Sequence, residues 1–203
     1  MKFTIAIDGP AAAGKGTISR AVAEHFNMAY LDTGLLYRVV GAKVLAGETP
    51  VDAAKTIHPG ELKGAYLRSS EVAQAASRAA VLPDVRMALI EFQRDFARRE
   101  GGAVLDGRDI GTVVCPQADV KLFITATPGI RAMRRLKELD RQQSDLSYSK
   151  VLNDVIDRDK RDRERKLAPL IAAEDAITID TSSLNASVAI SHVIEIIQKR
   201  MDL

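Results

Sequence analysis

Five short apolar runs recur along the chain with longer mixed segments between them. They occupy residues 3–7, 28–31, 103–105, 120–125 and 176–179. Most of these runs lack a polar alternation, which is typical of strands that are buried on both faces. The segments between them show helical spacing of apolar residues, as in the stripe of Val85, Leu89, Phe92 and Phe96. This alternation predicts an α/β fold with a five-stranded parallel sheet and helices on both faces.

Some helix ends carry their own signals. Asn185 is a suitable N-cap for a last helix that runs from about residue 186 to near 201. A helix near 71–81 must end before Pro83, and Asp84 is suitable as the cap of the helix that follows.

Two intervals do not fit the simple alternation of strand and helix. Residues 33–102 separate the second and third predicted strands, which is far more than a crossover requires. The second interval is the charged run "RDKRDRERK" at 158–166. Both predict insertions at the rim of the sheet, where functional loops collect.

Length and charge limit the class of protein. A chain of 203 residues can form one domain with a sizeable core. Its 29 basic and 27 acidic residues give a net charge of +2, too balanced for a protein that coats nucleic acid. The single cysteine, Cys115, excludes an internal disulfide and fits a reducing cytoplasm. No segment approaches the roughly 18 apolar residues of a membrane span, so we expect a cytoplasmic protein without a membrane partner.

The first candidate for chemistry is the segment "DGPAAAGKGT", residues 8–17, between a predicted strand and a predicted helix. Gly9, Gly14 and Lys15 match the phosphate-binding pattern G-x-x-x-x-G-K-[ST], but Gly16 occupies the hydroxyl position and Thr17 follows one place later. The helix N-terminus presents free N–H groups and a positive dipole end to an anion. The lysine can contact terminal phosphates, so the segment predicts a phosphate-binding loop.

The departure at Gly16 resembles a known family. "GPAAAGKGT" is similar to the G-x-x-G-x-G-K-G-[ST] loop of nucleoside monophosphate kinases, with Ala12 in place of the first inner glycine. Four further segments resemble bacterial-type cytidylate kinases over nearly the whole chain: "LDTGLLYR", "SRAAVLPDVR", "LDGRDIGTVV" and "RDKRDRERKLAPL". Adenylate kinases have a D-G-[FY]-P-R segment after the third strand, which this chain lacks. The chain departs from the larger bacterial members in the stretch 47–70, which is shorter than the extra subdomain that we expect in those members.

The resemblance implies a single domain of the P-loop NTPase type and a monomer. The core comprises about 1–35, 101–145 and 168–203. An insertion for the acceptor nucleotide spans about 36–100, and a short lid spans about 146–167.

Two observations favour a phosphate acceptor without the resemblance. The three histidines, His25, His58 and His192, lie in no motif, and no general base is evident. A hydroxyl acceptor usually needs a carboxylate base, whereas a phosphate acceptor is already an anion and needs arginine to overcome repulsion. Arg38 and Arg108 follow the second and third strands, at the sheet edge where ligands bind.

The charged run places four residues on one helix face: Arg158, Arg161, Asp162 and Arg165. The alternative interpretation is a solvated helix with surface ion pairs, which is the usual meaning of mixed charge. Because a phosphate-binding loop occurs in the same chain, we favour a lid that contacts phosphate.

The resemblance implies a donor site for ATP and Mg²⁺. Its loop residues are Gly9, Pro10, Ala11, Ala12, Ala13, Gly14, Lys15, Gly16 and Thr17. The hydroxyl of Thr17 would bind the metal, and Asp106 would orient its water shell. Arg131 and Arg135, one turn apart, would flank ATP, unless they form only a basic surface.

The resemblance also implies an acceptor site. Its residues are Thr33, Arg38, Ser77, Arg86, Arg108, Asp109, Arg158, Asp162 and Arg165. Arg38, Arg108 and Arg158 would hold the acceptor phosphate and the transferring group, with Lys15, Arg108 and Arg158 as the catalytic set. Thr33, Asp109 and Asp162 would contact the ribose side. Ser77 and Arg86 would read the base, with Asp162 closing over them, although each alone is more often plain helix surface.

The implied reaction is in-line transfer of phosphate from ATP to CMP or dCMP. A kinase of another small acceptor, such as UMP or shikimate, is an alternative enzyme, although the arginines and the missing base disfavour shikimate. A nucleotide-binding regulatory switch is an alternative from another class, but the N-K-x-D tetrapeptide of guanine-specific switches is absent.

Overall fold

The computed structural model of the protein describes residues 2–140 and 147–202. Within these ranges the strands are β1 Thr4–Asp8, β2 Ala29–Asp32, β3 Ala103–Gly107, β4 Val120–Thr125 and β5 Ile177–Asp180. All neighbouring strands run parallel, in the order β2-β3-β1-β4-β5. The predicted five-stranded parallel sheet is therefore confirmed.

The described helices surround this sheet. They are α1 Lys15–His25, α2 Thr33–Leu45, α3 Pro50–Lys55, α4 Ser70–Ala79, α5 Pro83–Ala97, α6 Pro128–Asp140, α7 Tyr148–Glu164 and α8 Ala186–Met201. Two 3₁₀ turns, Pro59–Leu62 and Ala65–Arg68, and a single π-helical turn, Ile110–Val114, complete the regular elements of the described chain. None of the helices in the described ranges is both long and apolar enough to cross a membrane.

Of the two N-caps predicted from the sequence, the structure confirms the one of α8 and contradicts the one of α5. The side chain of Asn185 accepts a hydrogen bond of 2.9 Å from the amide of Val188, which confirms the predicted cap of α8. The predicted cap at Asp84 is wrong, because α5 already begins at Pro83 and Leu82 stands at the N-cap. Proline suits the first helical position, because its fixed φ matches the helix and an N–H at that position would have no hydrogen-bond partner within the helix.

The core explains the continuous apolar runs. Ile5 and Ile7 of β1 pack with α1 and α8 on one face of the sheet, while Ala6 packs on the other face, which α2 and α5 cover. Successive side chains of a strand point to opposite faces, so both faces of a buried strand must be apolar.

The predicted insertion, 36–100, is mostly helical, and its second half contains the two helices predicted there. Helix α2 lies against α4 so closely that a Cβ on Gly41 would stand 2.6 Å from the amide nitrogen of Ala76. Glycine is therefore required at this crossing.

The predicted lid, 146–167, consists mainly of α7. Val151 and Val155 of this helix pack against Ala132 and Leu139 of α6. Residues 141–146, at the predicted border of core and lid, lie outside the described residues. The domain boundaries stay predictions.

Candidate active site

A cleft of about 260 Å³ opens at the carboxyl ends of the central strands. The phosphate-binding loop forms one wall, and side chains from α2, α4, α5 and α7 form the other. The predicted site residues that line it are Ala11, Ala12, Gly14, Lys15, Gly16, Thr17, Thr33, Arg38, Ser77, Arg86, Asp106, Arg108, Asp109, Arg135, Arg158, Asp162 and Arg165. Sequence positions from 11 to 165 thus meet at one edge of the sheet.

The loop backbone requires its glycines. Gly9 has φ +144°, and a Cβ there would lie 1.9 Å from the carbonyl oxygen of Ile124. Gly14, at the N-cap of α1, has φ +98° in the left-handed region. Ala12, which replaces an inner glycine of the family pattern, keeps a positive φ of 59°. The backbone thus follows the glycine-type path even where an alanine stands.

Lys15 folds back over this loop. Its Nζ is buried and donates a hydrogen bond of 2.9 Å to the carbonyl oxygen of Pro10. Burial lowers the pKa of Lys15 below its ordinary value, and the positive charge of Arg108 lowers it further. The negative charge of an anion bound in the loop would oppose both effects and raise this pKa.

Acidic groups lie beside the start of α1. The hydroxyl of Tyr30 donates to Asp106 Oδ2 at 2.7 Å, and Asp32 on β2 is the register partner of Asp106 on β3. Burial raises the pKa of Asp106, and the charge of Asp32 raises it further. A Cβ on Gly16 would stand 3.6 Å from the Tyr30 hydroxyl and 3.7 Å from the Asp106 carboxylate, both ordinary contacts, so this hydrogen-bonded pair lies beside the helix start.

These groups fit a magnesium ion bound together with nucleotide. Within the described ranges no three His, Cys, Asp or Glu side chains form a ready-made metal cage. Mg²⁺ commonly takes only one or two protein oxygens beside phosphate and water. The exposed hydroxyl of Thr17 and the carboxylate of Asp106 line the same cleft and are oxygen ligands of that kind.

Arginines converge on the opposite side of the cleft. The pKa of Arg158 is lowered to about 9 by burial and by the charge of Arg108. The pKa of Arg38 is lowered to about 10 by burial and by the charge of Arg135. The Nε of Arg158 is buried, and no hydrogen-bond acceptor for it is found in residues 2–140 and 147–202. Clustered cations with an unused buried donor indicate a site for an anion.

Asp162 partly neutralises this cluster. Its Oδ2 accepts from Arg108 Nε at 2.8 Å and lies 3.9 Å from Arg158 Nε. Burial opposes the charge of Asp162, but the two arginines outweigh it and lower the carboxyl pKa. Helix α7 is thus docked onto the end of β3 by an ion pair.

A second ion-pair cluster lies at the deeper end of the cleft. Asp109 accepts from Arg86 and, at 3.2 Å, from Arg165. The guanidinium of Arg86 also lies over the ring of Tyr37, 5.9 Å from its centroid. Ser77 accepts a hydrogen bond of 3.3 Å from Arg161 Nε. These polar groups, on an aromatic wall, are suited to a heterocyclic base.

Several predicted residues stand beside or behind the wall. The hydroxyl of Thr33 lines the cleft but donates to the carbonyl oxygen of Asp106 at 2.7 Å. Arg131 is buried behind the loop, where it pairs with Asp159 and donates to the Ala11 carbonyl. Its contact with ATP stays a prediction, whereas its hydrogen bond to the Ala11 carbonyl supports the loop backbone. His25, His58 and His192 are exposed and do not line the cleft.

The sequence analysis missed Asp8 and Asp159. Asp8 is buried at the end of β1, and its two oxygens accept from the amides of Ile110 at 2.8 Å and Gly111 at 2.7 Å. Burial raises its pKa to about 6. A carboxylate that ends an apolar strand was the available signal for Asp8, whereas Asp159 is hidden in a charged run.

A family model described as cytidylate kinase matches residues 5–62 and 51–199. The chain belongs to the cytidylate kinase family. It is 60% identical over 200 residues to the cytidylate kinase of Cereibacter sphaeroides, an alignment that covers 98% of this chain and 97% of the relative. It is 52% identical over 207 residues to the cytidylate kinase of Paramagnetospirillum magneticum, with 97% and 98% covered.

The same fold occurs in a distant solved structure. An uncharacterized protein from Eubacterium ventriosum has a TM-score of 0.57 and 17% identity, with 98% of this chain and 99% of that chain covered. This likeness supports the fold alone. The alignments with the two cytidylate kinases named above cover nearly the full length of each relative. These relatives therefore have a stretch of similar length at 47–70 and, like this chain, no extra subdomain there.

Proposed function

We propose that the chain transfers the terminal phosphate of ATP to CMP or dCMP, giving ADP and CDP or dCDP. The observation that carries this proposal is the meeting of two anion sites in one cleft, the phosphate-binding loop and the arginine cluster. Membership of the cytidylate kinase family supports the same substrate class.

The donor wall binds ATP through the loop and α1. Loop amides and the helix dipole stabilise phosphate oxygens, and Lys15 lies within the loop as the charged partner. A phosphate that accepts a hydrogen bond from Lys15 would take the place of the Pro10 carbonyl. The ammonium would then act on charge that develops during transfer.

Thr17 and Asp106 would hold the magnesium ion at this wall. When bound, the ion supplies positive charge between the phosphates and favours in-line transfer. Asp106 is already oriented by the Tyr30 hydroxyl, so its carboxylate is fixed before nucleotide binds.

The acceptor wall binds the monophosphate through Arg38, Arg108 and Arg158. Burial and mutual repulsion lower the pKa of Arg38 and of Arg158 in the free protein, and a bound dianion relieves that repulsion. No proton needs to leave the acceptor oxygen, so the reaction requires arginines and no general base. In-line transfer then depends on a closed cleft that excludes water.

The residues proposed to contact the base favour cytosine, because they include both hydrogen-bond donors and hydrogen-bond acceptors. Cytosine presents one amino donor beside two acceptors. Arg86 can donate, and Ser77 supplies a hydroxyl on the same wall. Asp109, expected on the ribose side, pairs with Arg86 and can therefore accept from the base instead. Uracil reverses donor and acceptor at two adjacent positions, so it fits this set less well.

We propose the cytoplasm as the location and a monomer as the active form.

A coupled ADP-release assay with a panel of nucleoside monophosphates tests the proposal. The expected result is rapid ADP formation with CMP and dCMP, a weaker response with UMP, and little with AMP, GMP or shikimate. Equal rates with every acceptor, or ADP release without any acceptor, would contradict it.

A further inference from the structure

Arg161 lies on the inner face of the lid helix but behind the cleft wall. Its neighbours on that face, Arg158, Asp162 and Arg165, line the cleft, whereas Arg161 lines a small adjoining void that shares Arg158 with the cleft. Its Nε donates to Ser77 Oγ at 3.3 Å, and Ser77 itself is buried and lines the cleft. Arg161 therefore meets the cleft through the hydroxyl of Ser77.

This contact decides which way the Ser77 hydroxyl can point. A serine hydroxyl has one O–H donor and two acceptor lone pairs. The Arg161 N–H occupies one lone pair with a charge-assisted bond, so the O–H hydrogen must point elsewhere. No acceptor for that hydrogen is found among the residues that the structure describes. The hydroxyl is left as a donor beside the cleft.

A second bond holds the same two helices in register. Gln74 Nε2 of α4 donates to Asp154 Oδ1 of α7 at 3.4 Å, about one helical turn before Ser77 and two turns before Arg161. The acceptor insertion and the lid helix are thus joined at two points. The position of Arg161 relative to Ser77 follows from helix packing and does not depend on a mobile side chain alone.

We infer that Arg161 is a positioning residue that determines base specificity by fixing Ser77 as a hydrogen-bond donor. A fixed donor suits ring nitrogen N3 of cytosine, which accepts a hydrogen bond. N3 of uracil carries a hydrogen and would oppose the Ser77 hydroxyl, donor against donor. Unpaired polar groups in a buried site discriminate strongly between such analogues. The inference rests on the proposed function and deepens it.

The test is the ratio of kcat/KM for CMP to that for UMP in four proteins. These are the parent, Arg161→Met, Ser77→Ala and the double variant. We expect Arg161→Met to lower the CMP/UMP ratio about tenfold, chiefly through KM for CMP. In the Ser77→Ala background the same substitution should leave the ratio unchanged, because the two residues act as one unit.

Arg163→Met is the matched control, because Arg163 lies on the exposed face of the same helix. It should leave the ratio at the parental value. Calorimetric titration of each variant with CMP and with UMP gives the ratio of the two dissociation constants, which reports discrimination in binding even where turnover is lost. An unchanged ratio in Arg161→Met, or an equal fall with and without Ser77, would overturn the inference. A parent that phosphorylates no pyrimidine monophosphate would instead overturn the proposed function.

Discussion

Lys15 Nζ donates a hydrogen bond of 2.9 Å to the carbonyl oxygen of Pro10, so the loop binds its own lysine when no phosphate is present. Four residues of chain, 11–14, lie between the two groups, so the hydrogen bond closes a small ring within the loop. The lysine is thus already held within the loop at which we propose that phosphate binds. This preorganisation reduces the reorganisation required during transfer.

Removal of the Lys15 ammonium should abolish transfer without loss of the fold. We expect Lys15→Met to lower kcat about 10³-fold, because the charge acts on the transferring group and the methionine fills the same space. The measurement is kcat at saturating ATP and CMP, with the melting temperature as the control for folding. A folded variant with near-parental kcat would contradict the assignment.

ATP binding should also take up protons at alkaline pH. In the protein without nucleotide, burial and the charge of Arg108 lower the pKa of Lys15, so at alkaline pH part of the population has a neutral Lys15. Phosphate raises that pKa again and draws a proton onto Nζ. Calorimetry in buffers of different ionisation enthalpy measures this uptake. It should disappear in Lys15→Met, and an equal uptake in both proteins would assign it to another group.

Arg158→Met should separate activity from stability. In the folded protein the pKa of Arg158 lies at about 9, because burial and Arg108 disfavour its charge. A base whose folded pKa is lowered costs stability when it is charged, so its removal should leave the melting temperature equal or raise it. We expect kcat to fall about 10²-fold or more, since the charge is needed in the transition state.

Arg163→Ala is the control for this variant. Arg163 lies exposed on the same helix, and its removal should change kcat little. Small and equal effects of both substitutions on kcat would show that the charge of Arg158 does not act on the transferring phosphate.

The buried pair of Arg131 and Asp159 should matter for stability. Arg131 NH1 donates to Asp159 Oδ1 at 2.9 Å, and both side chains are almost fully buried. Asp159→Ala leaves an unpaired buried charge and should destabilise the fold by about 3–5 kcal/mol. Asp157→Ala, at an exposed position of the same helix, should change the free energy of unfolding by less than about 0.5 kcal/mol. Similar values for both variants would contradict the structural role of the pair.

Asp8 should make stability depend on pH in an unusual direction. Its folded pKa is raised from 3.8 to about 6, so the folded state binds a proton that the unfolded state releases. Its contribution to stability is present below about pH 4 and is lost as pH rises through 6. The difference in unfolding free energy, parent minus Asp8→Asn, should therefore be larger at pH 4 than at pH 7. A difference that grows with pH would contradict this sign.

The sequence predicted the sheet because buried strands leave a continuous apolar record. β3 extends two residues beyond its predicted end, since Asp106 and Gly107 are polar or small yet pair in register with Ile7 and Asp8. Helix α2 was not predicted, because Thr33, Gly34 and Gly41 resemble loop residues. Its glycine is explained only by the close crossing with α4, a tertiary contact that no local pattern records.

The sequence predicted most of the residues that line the cleft, but it did not predict which of them form ion pairs with one another. The predicted site arginines other than Arg131 lie around one cleft. That Asp162 pairs with Arg108, or that Asp159 pairs with Arg131, depends on contacts between distant elements. Charge alone favours a solvated helix, and only the packing of distant elements shows that Asp159, Asp162 and Arg165 of this run are buried.

The most direct measurement follows the phosphate itself. The purified chain is mixed with γ-labelled ATP, Mg²⁺ and CMP, and the labelled products are separated. The account predicts that the label appears in CDP, in a one-to-one ratio with ADP, and that ADP formation requires CMP. Label found mainly in free phosphate, at a rate that CMP does not change, would contradict it.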